Sequence, residues 1–136
     1  MKKWHIFFIG LTTLFIAISY ARQAFWRGET LSIQQTKKKW GDLSYTPEKF
    51  KSSPLADKAK MASSILLDKT LIGRTVEQVR EKFGPPDGFY FIDSYPAYII
   101  QEGKNQKEET WQIVFLHNAE YKIREIIVHK NCCEKK

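Results

Sequence analysis

The sequence predicts an α+β domain in which two helices pack on one face of a three- or four-stranded antiparallel meander. Two stretches carry helical spacing: Leu55, Ala59, Ala62 and Leu66 recur at i, i+4, i+7 and i+11, and Val76, Val79 and Phe83 at i, i+3 and i+7. The second stretch is punctuated at both ends within the run Leu71 to Asp87, L-I-G-R-T-V-E-Q-V-R-E-K-F-G-P-P-D. Past Pro86 the character turns to β, with aromatic and β-branched runs and a clear alternation at Trp111, Ile113 and Phe115.

A chain of 136 residues has room for one such domain once its N-terminus is set aside. Thirteen uncharged residues run from Ile6 to Ile18, preceded by Lys2 and Lys3 and followed by Arg22 and Arg27. The pattern is membrane-engaging, and it admits two forms. Trp4 and Tyr20 stand where the two interfaces lie if residues 4–21 span a bilayer, a helix of roughly 25 Å against about 30 Å of hydrocarbon. This reading predicts a retained single-pass anchor, with Arg22 snorkelling to the headgroups. The alternative is a signal peptide cleaved near Ala21, since Ser19-Tyr20-Ala21 offers small residues where a signal peptidase reads them. The short basic n-region predicts an extracytoplasmic (periplasmic) domain, while Arg22, Arg27 and Lys37 to Lys39 on the other flank oppose that sense.

Residues 28–53 show no sustained periodicity and are interrupted by Gly41, Pro47 and Ser52-Ser53, so they read as a basic tether. Pro54 at N1 with Asp57 in the first turn opens a helix to about Lys69, with Ile65 widening its stripe and Met61 at the margin. Thr75 and Gln78 form a T-x-x-Q capping box for the second helix. Gly84 suits a left-handed position after its last turn, and Pro85 and Pro86 cannot continue it.

Gly88 to Asp93 and Ala97 to Gln101 then read as a hairpin around Ser94, Tyr95 and Pro96. Glu102 to Glu109 is a polar, mobile loop, and His117 to Tyr121 a tighter turn into a last strand, Lys122 to His129. Ile126 and Val128 face one way on that strand and Ile123 and Ile127 the other, which leaves its inward face ambiguous and allows a bulge. So small a domain buries only around 60% of its unfolded surface. Its core is therefore expected to be aromatic, from Phe89, Phe91, Trp111 and Phe115. The divisions are thus 1–27 as anchor or signal, 28–53 as tether, 54–130 as domain and 131–136 as tail.

The formal charge of +7 is not a nucleic-acid signature. Lys2, Lys3, Arg22 and Arg27 supply four of it, and the remainder of the chain holds eighteen Lys or Arg against fifteen Asp or Glu. Lys37, Lys38 and Lys39 read as a juxtamembrane patch facing anionic lipid or as a solvated linker. Chemistry is sparse. His129, Cys132 and Cys133, with Asn131 between and His117 nearby, form the one cluster of soft ligands, but adjacent cysteines do not match the spacing of a tetrahedral site. A small metal or redox protein built on this cluster is the alternative function; otherwise these thiols are free, vicinally bonded or cross-link two chains. No motif supplies a nucleophile with its base, so neither an enzyme nor a cofactor is expected. Glu108-Glu109 reads as a solvated pair and Asp87 as a turn former.

The helix–helix–sheet order, the run from Leu71 to Asp87, and W-Q-I-V-F-L followed by a turn and a last strand resemble the SmpA/OmlA domain, the BamE-like fold, over about residues 55–128. Gly73, Thr75, Val79, Phe83, Gly84, Pro85 and Asp87 carry the match, as turn, cap and core. The resemblance implies a small periplasmic module without catalytic residues, of the kind that serves as an accessory lipoprotein in outer-membrane barrel assembly. This chain lacks a lipobox cysteine at the end of its apolar run and carries a long basic tether instead. The reading that follows is a membrane-tethered, non-enzymatic module that binds another envelope protein or the membrane itself. Its expected contact residues are the tyrosines that the core pattern leaves outside, Tyr90, Tyr95, Tyr98 and Tyr121.

Overall fold

The computed structural model describes residues 28–105 and 108–131. The span expected over 4–21, its flanks and Cys132 and Cys133 lie outside the described residues. Among the described residues no helix is long and apolar enough to cross a membrane. The elements in order are β1 (Thr30–Leu31), α1 (Ile33–Trp40), α2 (Pro47–Ser52), α3 (Leu55–Leu67), a 3-10 turn (Lys69–Leu71), α4 (Val76–Phe83), β2 (Ala97–Gln101), β3 (Trp111–His117) and β4 (Ile123–Lys130). The strands form one antiparallel sheet in the order β1-β4-β3-β2.

The expected tether is instead part of the domain. Thr30 and Leu31 pair with His129 and Val128 at the sheet edge. Ser32 and Gln35 close a capping box on α1, and Thr46 caps α2 with Pro47 in its first turn. Trp40 meets Trp111 edge-on at 5.8 Å and donates its indole N–H to Gln101 Oε1 at 2.8 Å. Phe50 is 1% exposed and packs edge-on against Phe83 at 5.3 Å. Tyr45 lies stacked on Phe83 and donates its hydroxyl to Asp68. The sequence pattern conceals all this because two helices of eight and six residues each bury only one residue fully, Thr36 and Phe50. Neither is long enough to display a stripe.

The helix α3 follows Pro54, which sits at the N-cap rather than at N1, and it stops at Leu67. Its buried set is Ala59, Met61, Ala62, Ser63 and Ile65, so Met61 belongs to the core and not to its margin. Packing between α1 and the sheet widens the arc that must be apolar. On α4 the Thr75–Gln78 capping box forms as expected, and Val76, Val79 and Phe83 are buried. Gly84 has φ 89° and ψ −174°, a region open to glycine alone and outside the left-handed helical well.

The larger correction concerns Gly88 to Asp93, which forms no strand. It crosses the sheet face opposite the helices, so the sheet is covered on both sides. Gly88 donates its N–H to Ala97 at 2.9 Å, and a Cβ there would lie 2.4 Å from Gln112 Oε1. Gln112, itself fully buried, donates its amide to the Phe89 carbonyl at 2.8 Å and accepts the Phe89 N–H at 3.2 Å. These contacts set the phase of the segment: Tyr90 turns inward at 6% exposure, and Phe89 and Phe91, expected in the core, are 53% and 58% exposed.

Two clusters result. Under the helices lie Phe50, Met61, Ile65, Val79, Phe83, Tyr98, Trp111, Ile113, Phe115 and Val128, among others. On the outer face Tyr90, Ala97, Val114, Leu116 and Ile127 pack together, with Tyr95 against them. The register shift after Leu116, where His117 pairs with Ile123, is the bulge the last strand allowed. It lets Ile123 join Val128 in the first cluster while Ile127 faces the second.

Candidate interaction face on the sheet

The crossing segment and the turn between β3 and β4 build a surface rich in aromatic rings. Tyr90 is the internal post. Its ring meets His129 at 4.7 Å, Phe91 at 4.6 Å and Tyr95 at 6.2 Å. Outside it stand Phe89, Phe91 and Ile92, the last 49% exposed. Towards the far end of the sheet, His117 lies between Tyr95 and Tyr121, with ring centroids 4.6 Å and 4.9 Å away.

His117 is held at both nitrogens: Nδ1 is 2.7 Å from the Asn118 carbonyl, and Nε2 is 3.0 Å from Ser94 Oγ. A carbonyl only accepts, so Nδ1 carries the proton, and in the neutral ring Nε2 accepts from the Ser94 hydroxyl. The pair welds the crossing segment to the turn. A polar groove of about 500 Å³, lined by Glu48, Lys51, Arg74, Gln78, Glu81 and Lys82, lies on the helical side between α2 and α4.

Two rings of this face are carried on positive-φ backbone. Phe91 has φ 56° and Tyr121 φ 59°. The Ile92 N–H donates to the Tyr90 carbonyl at 2.6 Å, closing a γ-turn about Phe91 in its rarer, strained sense. Tyr121 ends the turn that Asn118 organises by accepting the N–H groups of Glu120 and Lys122 at 3.0 Å. Glycine ordinarily fills such a place, yet Tyr121 is 54% exposed.

Of the four tyrosines expected outside the core, the structure keeps two at the surface. Tyr121 is exposed and Tyr95 half-buried beside it. Tyr98 is 3% exposed, lies among Phe50, Phe83 and Phe115, and donates its hydroxyl to the Gly84 carbonyl at 2.9 Å. Burial pushes its phenol well above the usual range. Its polar tip reaches a helix-end carbonyl, which is why tyrosine fits a core position the pattern assigned to solvent. Tyr90 is buried for the reasons of phase given above.

The three lysines do not form one patch. Consecutive residues on a helix point about 100° apart. Lys37 pairs with Asp42 at 2.6 Å, Lys38 is exposed, and Lys39 lies over the rings of Trp40 and Trp111 and reaches Glu109 at 3.2 Å. Glu109 gathers three donors, Lys130 Nζ at 2.9 Å, Trp111 Nε1 at 2.8 Å and Lys39 Nζ, which together hold its carboxyl down to about 2. It is an anchor for neighbouring charges. Asp87 accepts the Ile99 N–H at 2.8 Å, occupying a donor on the free edge of β2.

His129 and His117, which the sequence placed near each other, sit at opposite ends of the sheet: His129 pairs with Gln112, five residues along β3 from His117, a separation of roughly 17 Å. Among the described residues no three His, Cys, Asp or Glu side chains gather as a metal site. Sequence reasoning missed Phe89, Phe91 and Ile92 as surface residues. Gly88 marks a close approach, but the contact that decides which side chains face outward is made by Gln112, 23 residues along the chain from Phe89.

No family model matches the chain, and no curated protein and no solved structure matches it either.

Proposed function

We propose that this is a membrane-tethered, non-enzymatic protein-binding module of the cell envelope, accessory to envelope or outer-membrane assembly, whose partner is an envelope protein met at the Tyr95–His117–Tyr121 end of the sheet. One observation carries the reading: Tyr121 presents a half-exposed ring from a backbone conformation that disfavours it by about 1–2 kcal/mol. An internal role does not require a tyrosine there, whereas an external contact does. Tether and compartment rest on the apolar run Ile6 to Ile18 and its basic flanks. The SmpA/OmlA resemblance read over residues 55–128 implies the same kind of role, although the paired strand β1 and the helices α1 and α2 precede the order on which it was read.

The test is capture of the full chain from solubilised membranes. A partner is expected to co-purify with the wild type and to be lost with Tyr121→Ser and Tyr95→Ser, both folded. A partner retained by both variants would remove this end of the sheet from the contact.

A further inference from the structure

We infer that the neighbouring part of this face, Phe89, Phe91 and Ile92, lies against the lipid interface into which the N-terminal segment inserts. The inference rests on the tethered reading above and adds an orientation to it. Three facts converge. The described chain begins at Gly28, beside His129: a Cβ on Gly28 would sit 2.7 Å from His129 Nε2. His129 carries Tyr90, and Tyr90 carries Phe91, so the point of entry and the exposed rings share one end of the outer face. Tyr20, at the edge of the apolar segment, is eight residues from Gly28, which limits the reach to about 28 Å even when fully extended. A tether of that length keeps the Gly28 end of the outer face within reach of the bilayer.

The residues suit the place. Phe89, Phe91 and Ile92 are consecutive outward apolar side chains, 53%, 58% and 49% exposed, on a segment whose inner residue is locked to the sheet. Phenylalanine and aliphatic side chains bury into the boundary between headgroups and acyl chains. The γ-turn carries two adjacent exposed apolar side chains, Phe91 and Ile92. Attraction here is apolar, so zwitterionic lipid suffices and the lysines of α1 are not required.

The experiment uses the full chain reconstituted in phosphatidylcholine vesicles containing a chain-labelled spin lipid. An environment-sensitive fluorophore is placed by Ile92→Cys in a Cys132→Ser, Cys133→Ser background, with Leu67→Cys on α3 as the control, an exposed apolar site in the helical layer. Expected is a blue-shifted emission quenched by the spin lipid at position 92, aqueous emission at 67, and loss of the shift with Phe89→Ser and Phe91→Ser. If the chain resists alkaline extraction while both probes report water, the orientation is wrong and the tether stands. Extraction of the chain would remove the tether and the orientation together. A shift at 92 that needs added envelope protein would replace lipid by a protein at this site.

Discussion

At the scale of single residues, Tyr121 and Gln112 make opposite claims on the chain. Tyr121 carries a local backbone cost that its half-exposed ring, meeting His117 at 4.9 Å, offsets only in part, so Tyr121→Gly is expected to hold or raise stability, by up to about 1 kcal/mol in urea unfolding, while abolishing partner capture. A fall of several kcal/mol would show the ring to be structural. Gln112 is the reverse case, a fully buried amide that serves both backbone groups of Phe89 as a neighbouring strand would. Gln112→Leu keeps the volume and leaves that N–H and carbonyl unanswered, so a loss of about 2–3 kcal/mol is expected. Hydrogen exchange should rise at residues 89–92 and not in α4.

At the scale of elements, residues 28–53 decide whether the domain begins at β1 or at α3. Phe50→Ala is expected to destabilise by about 3–5 kcal/mol, the range for emptying a buried aromatic site, where a tether residue would change nothing. Thr75→Ala should lose about 1 kcal/mol through its cap. The contrast shows what was legible. The boundaries of α4, the inward set of β3 and the order of the five principal elements were readable, because each is written in local chemistry: a cap, a stop, an alternation. The segment 28–53 was not, since its helices are too short for periodicity and its burial depends on distant partners, from Tyr45 on Asp68 to Trp40 on Gln101. The phase of Gly88 to Asp93 was equally hidden. Four apolar residues in succession do not say which pair faces in until Gln112 fixes one of them. Through that error Tyr90 and Phe91 exchanged places; Tyr98 was misplaced separately, its hydroxyl satisfied inside by the Gly84 carbonyl, and Tyr95 and Tyr121 stay at the surface.

At the scale of the whole molecule, the end of the sheet nearest Gly28 is closed by charge. Glu109 accepts from Lys130, Trp111 and Lys39, and Lys130 also reaches Glu29 at 3.0 Å, so α1, β1, β3 and β4 meet in one network. Its carboxyl titrates at about 2 in the folded chain against an ordinary value of 4.5. The folded state is therefore favoured fully above the ordinary value, and that contribution is lost as pH falls from 4.5 through about 2. Asp42, held down by Lys37 and Ser63, acts in the same sense. Urea unfolding followed over this acidic window should show a slope that is reduced in Glu109→Gln; an unchanged slope would place the acid sensitivity elsewhere. The pairing of β1 with β4 has a mechanical consequence. The two strands run antiparallel, so the chain enters beside Lys130 while Tyr121 stands past the opposite end of β4. Tension between a fixed bilayer and a partner gripping that far turn would run along the strand axis. It would load the β1–β4 hydrogen bonds together, in shear, instead of peeling them apart one by one.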